Sequence, residues 1–322
     1  MTSFDFLLPD EHFAEQLESV IYPALAPYRE SVYFKAHGKG TLYAELYRHP
    51  NASAVVVLSH GFCEYIGKYT EIIYNFFSLG YSVAICEHRG HGFSARQTTN
   101  LTKVHINKFD TYTADFKYFT TLIEERFPKQ SLFLYGHSMG GCIATRYLEQ
   151  YPGHYRAAIL SCPMLEIRPS GIPASIALPY ARHLLRHGKP DDTLGNAIFN
   201  PIPDFEESSC TNAPRFHAFF AQRILEPRYQ TSHGTVGWLV TALETIEIAI
   251  ADADCIHVPV LLCQAGQDTL VYPSGHARLL ANLPHGTLCK FPRAKHEITS
   301  SDTSTRLDFW KTISVFLKKS TL

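Results

Sequence analysis

Apolar and polar positions follow two periods along this chain, one typical of β-strands and one typical of α-helices. The segments SVYFKA (31–36) and TLYAELYRH (41–49) are predicted strands, and the glycines of the intervening HGKG predict a hairpin turn. SAVVVLS (53–59) is a continuous β-branched run of the kind found in strands buried on both faces. Strands then alternate with helices up to YRAAILSC (155–162), and the alternation resumes at VPVLLCQAG (258–266). This order predicts an α/β fold with a mostly parallel, doubly wound sheet and an antiparallel start.

The alternation is interrupted once, which predicts an insertion. From about residue 164 to about residue 250 the sequence is helical and punctuated by prolines, as in ASIALPYARHLLRH. We therefore predict one core domain, residues 1–163 and 251–322, into which a helical cap of residues 164–250 is inserted. The remaining predicted elements are a short amphipathic segment at 11–25, helices at 68–80, 112–127, from Met139, at 274–283 and at 301–319, and strands at 81–87, 131–135 and 287–291.

The composition excludes several classes of protein. A net charge of −1 over 322 residues argues against a nucleic-acid binder, which carries a basic excess. The N-terminal stretch MTSFDFLLPDEHFAEQ lacks the basic start of a signal peptide, and no apolar run reaches the roughly 20 residues that span a bilayer. The eight cysteines are scattered without a C-x-x-C pair, so we expect free thiols in a reducing cytoplasm rather than disulfides or a zinc site.

One short motif carries the central chemistry. In SLFLYGHSMGG, Gly136 and Gly140 flank Ser138 between a predicted strand and a predicted helix. A G-x-S-x-G at such a junction is a nucleophile elbow, a turn so tight that side chains two positions from the serine would collide with it. The hydroxyl is then exposed at the carboxyl end of the sheet, beside backbone N–H groups of the helix N-terminus that favour a developing oxyanion. Ser138 is the predicted nucleophile.

A nucleophilic serine needs a base, and the base needs an acid that orients it. In α/β-hydrolases these follow the serine along the chain in the order Asp or Glu, then His. Asp268 follows the predicted strand 258–266, and His296 follows the predicted strand 287–291. Because parallel strands present these loops at the edge of the sheet where the elbow lies, we predict that Ser138, Asp268 and His296 form a catalytic triad.

For the oxyanion hole we predict the backbone N–H groups of Phe62 and Met139. Met139 directly follows the nucleophile, and the turn formed by His60, Gly61 and Phe62 ends the predicted strand 53–59, where α/β-hydrolases supply the second donor. We expect Gly61 to adopt a positive φ that aims the amide inward. The alternative is an ordinary glycine at the end of a strand.

Six motifs occur in an order that resembles one family. They are SHGFCEYIGKY, CEHRGHGFSAR, KVHINKFDTYTADFKYF, GHSMGG, the loop of Asp268, and RAKHEI. Together they resemble the α/β-hydrolase family of bacterial lysophospholipases and monoacylglycerol lipases, a broad group that includes serine aminopeptidase-like hydrolases. The resemblance extends from about residue 30 to the end of the chain, cap included. It implies the α/β-hydrolase fold with an inserted cap, Ser138 as nucleophile, His296 as general base and then acid, and Asp268 as its orienting partner.

Two positions depart from the family pattern. Glu87 stands where the family usually has Asp before the R-G-H-G turn, and Phe62 stands where the residue is often smaller or different. Neither change removes a catalytic atom. The larger phenyl ring would narrow the acyl pocket, so the preferred acyl-chain length stays open.

Several polar residues near the motifs have a structural interpretation beside a chemical one. Glu87, His88, Arg89 and His91 form a dense polar cluster, which we expect to hold its loop in place through hydrogen bonds. For Glu64 two interpretations are open: a pair with a basic neighbour near the oxyanion turn, or a solvated loop acid.

The predicted cap also contains residues with more than one interpretation. His183 and His187 have the spacing of two metal ligands, but no glutamate or third ligand stands in the required place, so we expect no metal there. Arg182 and Arg186 form a basic face that is either solvated or meets a lipid phosphate or an anionic membrane surface. Trp238 is expected in the cap core, in the substrate wall, or in both.

These features predict a serine carboxylester hydrolase that cleaves single-chain lipid esters, either lysophospholipid or monoacylglycerol, through an acyl-serine intermediate and without metal or organic cofactor. We expect it in the cytoplasm, either free or peripheral to the membrane through its cap. One alternative is a peptidase or small-ester hydrolase of the same fold, similar to proline iminopeptidases, with Asp204, Glu206 and Glu207 as candidates for binding a substrate amine. The other is a non-catalytic binding protein on this scaffold, against which the intact triad argues.

Overall fold

The centre of the molecule is an eight-stranded sheet, seen in a computed structural model that describes residues 4–188, 190–194 and 198–321. The strands are β1 (Arg29–Lys35), β2 (Thr41–Tyr47), β3 (Ala54–Ser59), β4 (Ser82–Cys86), β5 (Ser131–His137), β6 (Ala157–Ser161), β7 (Val260–Ala265) and β8 (Gly286–Phe291). Their order in the sheet is β1-β2-β4-β3-β5-β6-β7-β8. β2 pairs antiparallel with β1 and β4, and the other neighbouring strands are parallel. The predicted mostly parallel sheet with an antiparallel start is confirmed.

The central strands are apolar along their whole length because both faces of the sheet are covered. Every residue of β3 and of β6 is buried. The edge strand β1 instead alternates between exposed and half-buried positions. This difference explains why the inner strands appear in the sequence as continuous apolar runs while the first hairpin appears as an alternation.

The longer helices lie between the strands and in the segment that separates β6 from β7. They are α1 (Thr70–Ser78), α2 (Asp110–Arg126), α3 (Met139–Gln150), α4 (Ala174–His187), α5 (Ala213–Leu225), α6 (Val236–Ala251), α7 (Pro273–Asn282) and α8 (Thr303–Thr321). Short 3₁₀ turns occur at Ile66–Tyr69, Pro169–Gly171, Pro227–Tyr229, Ala253–Cys255 and Ile298–Ser300. Among the described residues, no helix has the length and apolar content that a membrane crossing requires.

The N-terminal amphipathic segment is helical, and its winding changes along its length. It consists of Phe13–Gln16 and Tyr22–Leu25 as α-helix, Leu17–Ile21 between them as π-helix, and Ala26–Tyr28 as 3₁₀ helix. The side chains of Phe13, Leu17, Ile21 and Leu25 are buried in the main core. These four positions form the apolar face that the periodicity indicated.

Helices α4, α5 and α6 occupy the predicted cap between β6 and β7. The guanidinium of Arg215 in α5 pairs with Glu71 at 2.6 Å and with Asp10 at 2.7 Å, which ties α5 to the core. At the other end, the side chain of Asn282 donates to the carbonyl of Ile250 at 2.7 Å, which ties the end of α6 to α7. The domain limits at residues 163/164 and 250/251 stay a prediction.

The parallel register brings the carboxyl ends of the inner strands to one edge of the sheet. Ser59 of β3 is level with Gly136 of β5, and Gly136 is level with Leu160 of β6. In the last two strands of the sheet order, Ala265 of β7 is level with Phe291 of β8. The loops after β3, β5, β6, β7 and β8 therefore meet at this edge, where open α/β sheets bind their ligands.

Candidate active site

Ser138 lies between β5 and α3 in a backbone conformation that L-residues rarely adopt, with φ 52° and ψ −120°. A Cβ on Gly136 would lie 2.6 Å from the carbonyl oxygen of Gly140, and a Cβ on Gly140 would lie 2.1 Å from the carbonyl oxygen of Ser59. Both glycines are thus required by the close approach of the backbone, as the motif predicts. Strained backbone of this kind is concentrated at functional sites, where it positions a side chain.

Asp268 and His296 are joined by a hydrogen bond of 2.7 Å between Oδ2 and Nδ1. The other carboxylate oxygen, Oδ1, accepts the backbone N–H groups of Leu270 at 2.9 Å and Val271 at 3.0 Å. Burial acts to raise the pKa of Asp268, but the hydrogen bond and charge of His296 and the two amides hold it below its ordinary value. An ionised Asp268 places the ring proton on Nδ1 and leaves Nε2 able to accept a proton.

Ser138 and His296 line the same cavity, which we name the catalytic cavity and which has a volume of about 500 Å³. Within the described part of the chain, no hydrogen bond joins the Ser138 hydroxyl to the His296 ring. Such bonds commonly become short and well aligned only when substrate binds. The structure therefore brings together the three residues that the sequence analysis selected from separate loops.

The two predicted oxyanion donors are free to bind a ligand atom. Phe62 lines the catalytic cavity, and Met139 is the first residue of α3. Neither backbone N–H donates a hydrogen bond within the described residues. A free N–H at a helix N-terminus beside the nucleophile is the arrangement that stabilises a developing oxyanion.

The expectation of a positive φ at Gly61 is wrong. In this turn the positive φ belongs to Cys63, at 58°. Glycine is needed at position 61 for a different reason, since a Cβ there would lie 2.6 Å from Glu64 Oε2. That oxygen accepts the backbone N–H of Gly61 at 2.6 Å, so the side chain of Glu64 sets the shape of the oxyanion turn.

Glu64 is paired with a basic neighbour, which decides between the two interpretations that the sequence left open. Its Oε1 lies 2.7 Å from Lys68 Nζ, and Lys68 Nζ also lies 2.7 Å from Glu297 Oε1. Burial acts to raise the pKa of Glu64, yet the charge of Lys68 holds it below its ordinary value. Burial lowers the pKa of the adjacent His137 to about 4, so His137 is neutral and adds no charge to this group.

The polar cluster that follows β4 holds its loop in place, as predicted. The carboxylate of Glu87 accepts the backbone N–H groups of Ile66 at 3.2 Å and Phe93 at 2.5 Å. His91 Nε2 accepts the backbone N–H of Cys63 at 3.1 Å, and His88 Nε2 is 2.9 Å from the hydroxyl of Ser59. Arg89 forms two hydrogen bonds of 2.9 Å with Asp115. These bonds join the loop after β4 to the oxyanion turn.

Two adjoining cavities open at this edge of the sheet. The apolar part of the catalytic cavity is lined by Phe62, Met164, Ile167, Pro169, Trp238, Leu239, Leu270 and Val271. The rings of Phe62 and Trp238 lie 4.1 Å apart, so Trp238 belongs to both the cap core and the cavity wall. A second cavity of about 390 Å³, which we name the adjoining cavity, shares Cys63, Lys68, Ser209, Arg223 and Glu297 with the first.

Comparison with known proteins decides the family. The family model described as serine aminopeptidase, S33, matches residues 50–303. The chain belongs to this family. The predicted α/β-hydrolase fold and hydrolase activity are confirmed, and so is the predicted resemblance to lysophospholipases and monoacylglycerol lipases.

Proteins with similar sequences are named lysophospholipase or monoacylglycerol lipase. Lysophospholipase L2 of Escherichia coli (strain K12) is 27% identical over 72% of this chain and 68% of its own length. Monoacylglycerol lipase of Mycolicibacterium smegmatis is 32% identical over 44% of this chain and 48% of its own length. The crystal structure of Paleococcus ferrophilus monoacylglycerol lipase superposes with a TM-score of 0.69 at 25% identity, covering 87% of this chain and 99% of that one.

Other predicted residues of the cap lie apart from the triad. Arg182 pairs with Glu244 at 2.7 Å, so one cation of the predicted basic face is compensated. The rings of His183 and His187 lie 4.6 Å apart. Within residues 4–188, 190–194 and 198–321, no third His, Cys, Asp or Glu lies close enough to complete a metal site with them.

Sequence reasoning missed Cys162, which follows β6 with a φ of 45°. Its Sγ, a carboxylate oxygen of Asp268 and a ring nitrogen of His296 all lie within 4.8 Å of one another. Burial and the Asp268 carboxylate hold the pKa of this thiol well above its ordinary value, so it stays protonated. All eight cysteines are free thiols; five are buried, Cys63 and Cys289 are half-buried, and Cys255 is exposed. The signal that was available for Cys162 is its position directly after a central strand, at the edge where the triad lies.

Proposed function

We propose that this protein is a serine carboxylester hydrolase acting on single-chain lipid esters, lysophospholipid or monoacylglycerol. The observation that carries the proposal is the strained Ser138, which lines the same cavity as His296, the base that is hydrogen-bonded to Asp268. Two free backbone amides, of Phe62 and Met139, lie beside it. A nucleophile, an oriented base and oxyanion donors in one cavity are the parts that ester cleavage through an acyl-enzyme needs.

The proposed reaction has two halves. His296 Nε2 takes the proton of Ser138 as Oγ attacks the ester carbonyl, and Asp268 stabilises the resulting imidazolium. The amides of Phe62 and Met139 stabilise the tetrahedral oxyanion, and removal of one such donor typically costs about 3–4 kcal/mol. The alcohol leaves with the proton from His296. Water then attacks the acyl-serine by the same steps and releases the fatty acid.

The shape of the catalytic cavity favours one acyl chain. Trp238, Leu239, Ile167 and Val271 form an apolar wall next to Ser138. The ring of Phe62 packs against the ring of Trp238 in this wall, with the centroids 4.1 Å apart. A wall of this kind binds a hydrocarbon chain by removing apolar surface from water.

A peptidase or small-ester hydrolase stays the second candidate, because acidic side chains do lie near the site. Asp204 and Glu207 line the adjoining cavity, whereas Glu206 does not. Carboxylates in that position suit a substrate ammonium group, and the family model carries an aminopeptidase description. Lipid substrates are favoured because the wall beside Ser138 is apolar.

We further propose a cytoplasmic protein that contacts a membrane surface through its cap. Exposed apolar side chains support this contact better than the basic face does. Ile176 and Tyr180 lie four residues apart in α4 and are 62% and 57% exposed, and Ile172, just before this helix, is 43% exposed. Such a stripe suits the boundary between lipid head groups and acyl chains.

The test is hydrolysis of matched substrates by the wild type and by the variant Ser138→Ala. The substrates are oleoyl-lysophosphatidylcholine, monooleoylglycerol, p-nitrophenyl butyrate and proline p-nitroanilide. Release of oleate that is lost in the variant supports the lipase proposal. Hydrolysis of the short ester or the anilide alone would replace it with the second candidate, and activity that survives in Ser138→Ala would remove the proposed nucleophile.

A further inference from the structure

The catalytic cavity and the adjoining cavity differ in chemistry, although they share one boundary. The catalytic cavity has one apolar wall, which includes Ile167, Trp238 and Leu239, beside polar side chains such as Arg168 and Thr269. The adjoining cavity carries the carboxylates of Asp204 and Glu207 together with a group of aromatic side chains, Tyr65, Phe199, Phe216, Phe219 and Phe220. An acyl chain therefore fits the first cavity, and a polar group bonded to the other side of the ester fits the second.

Three of the aromatic side chains of the adjoining cavity form a connected group. The ring centroids of Phe199 and Phe220 lie 5.8 Å apart, and those of Phe216 and Phe220 lie 5.7 Å apart. Aromatic faces attract cations, and quaternary ammonium groups are bound in proteins by several rings together. With Asp204 and Glu207 in the same lining, this wall suits a positively charged group.

Arg223 stands on the boundary between the two cavities, and its charge is not compensated. Nε donates to the carbonyl of Tyr229 at 3.1 Å, and Nη2 donates to the carbonyl of Thr231 at 2.7 Å. The guanidinium carbon lies 4.7 Å from the centroid of the Phe199 ring. No carboxylate of the described residues pairs with it. These contacts hold the guanidinium in position and leave Nη1 without an acceptor among the residues that the structure describes.

Lys68 also lines both cavities, but its positive charge is compensated. Its ammonium is 2.7 Å from Glu64 and 2.7 Å from Glu297, so two carboxylates already surround it. Arg223 is therefore the cation of this boundary that has room for an anion from the substrate. A guanidinium binds phosphate oxygens in a planar, two-pronged geometry.

We propose that the adjoining cavity is the head-group site for a zwitterionic lysophospholipid, with the phosphodiester at Arg223 and the ammonium against the aromatic wall, Asp204 and Glu207. The proposal rests on the lipid esterase function and names its substrate class. It follows from an order of groups: Ser138 lines the catalytic cavity, Arg223 lines both cavities, and the two acids line the adjoining cavity. The substrate has its ester, its phosphate and its ammonium in the same order. Monoacylglycerol has neither charge.

The first experiment tests the phosphate half. Hydrolysis of oleoyl-lysophosphatidylcholine and of monooleoylglycerol is measured in the same neutral-detergent micelles, and the ratio of the two kcat/KM values is compared between variants. Arg223→Gln should lower this ratio by about 10- to 100-fold, because a charge-assisted hydrogen bond to the phosphate is lost. Arg228→Gln is the matched control: Arg228 is an exposed arginine that lines neither cavity, and it should leave the ratio unchanged.

A second variant separates charge from structure. Arg223→Gln and Arg223→Lys both disturb the hydrogen bonds to the carbonyls of Tyr229 and Thr231, but only lysine keeps the positive charge. Arg223→Lys should therefore retain more of the wild-type ratio than Arg223→Gln, although it loses the two-pronged geometry of the guanidinium. A ratio that is unchanged in Arg223→Gln, or that falls equally in both variants, would overturn the assignment of Arg223.

The ammonium half is tested with a substrate that lacks the ammonium. The double variant Asp204→Asn, Glu207→Gln should lower hydrolysis of oleoyl-lysophosphatidylcholine relative to oleoyl-lysophosphatidylglycerol by about three- to tenfold. Glu206→Gln is the control, since Glu206 lies in the same loop outside the lining and should change nothing. An unchanged ratio in the double variant refutes this half. A wild-type enzyme that cleaves neither lipid but cleaves p-nitrophenyl butyrate refutes the lipid function itself, which is a distinct result.

Discussion

The strained backbone at Ser138 predicts that the proposed nucleophile costs the protein stability. With φ 52° and ψ −120°, this residue occupies a region that essentially only glycine adopts without strain. Such a residue stores about 1–3 kcal/mol. Replacing Ser138 by glycine removes the Cβ and the strain, while replacing it by alanine removes the hydroxyl and keeps the strain. The comparison of the two variants therefore isolates the strain from the loss of the nucleophile.

The expected magnitude includes a term from the unfolded chain. Glycine gives the unfolded state more freedom than alanine, which lowers the free energy of unfolding by about 0.4–1 kcal/mol. We expect Ser138→Gly to be more stable than Ser138→Ala by about 1–2 kcal/mol once this term is subtracted from the strain. Both variants should lose ester hydrolysis, since neither has the hydroxyl.

The assay is urea denaturation at pH 7, followed by the fluorescence of Trp238 and Trp310. A matched pair at Ser314, in the interior of α8, gives the opposite sign: there Ser314→Gly should be less stable than Ser314→Ala by about 1 kcal/mol, the ordinary cost of glycine in a helix. If the glycine variant is the less stable member of the pair at position 138 as well, the reasoning from strain is refuted.

Two further variants test the triad and the buried ion pair beside it. Asp268→Asn should lower kcat for p-nitrophenyl butyrate by about 10³- to 10⁴-fold, because the amide no longer holds the productive tautomer of His296. The exposed control Asp308→Asn should keep full activity. A loss below tenfold in Asp268→Asn would contradict the proposed role of Asp268 in orienting the base. Lys68→Met should lower the free energy of unfolding by about 3 kcal/mol at pH 8, because a buried carboxylate loses its partner. In the wild type the depressed pKa of Glu64 adds stability that is present above the ordinary pKa of 4.5 and is lost as pH falls through the folded value. Without Lys68 the pKa of Glu64 rises, so Lys68→Met should lose less free energy of unfolding at pH 5 than at pH 8. Equal losses at both pH values would argue against the pairing. An equal loss in the exposed control Lys311→Met would argue against it as well.

Much of the site was predictable because its geometry follows from local sequence and strand order. The glycines at 136 and 140 are dictated by a turn that spans five residues, and a strand-to-helix change of period shows where that turn lies. Asp268 and His296 follow strands that are adjacent and parallel, so their loops necessarily meet. Each of these inferences depends on a short stretch of chain or on the order of elements.

Other features depend on contacts between distant segments, and the sequence left them open. Gly61 and Glu64 are an example, since the sequence suggests a positive φ where the structure instead places a carboxylate against the backbone. The partners of Lys68 are four residues away in one case and 229 residues away in the other. No pattern of nearby residues reveals the second partner.

By itself, the sequence determined the sheet, the elbow at Ser138 and the order of the three residues of the proposed triad, because hydrophobic period and turn chemistry act over a few residues. Only the tertiary structure decided how the charges are distributed at the mouth of the site. It pairs Lys68 with two carboxylates, leaves Arg223 with backbone carbonyls and brings Cys162 beside Asp268. Whether a charge is compensated depends on which side chains lie within a few ångströms, and that is set by the packing of the cap on the sheet.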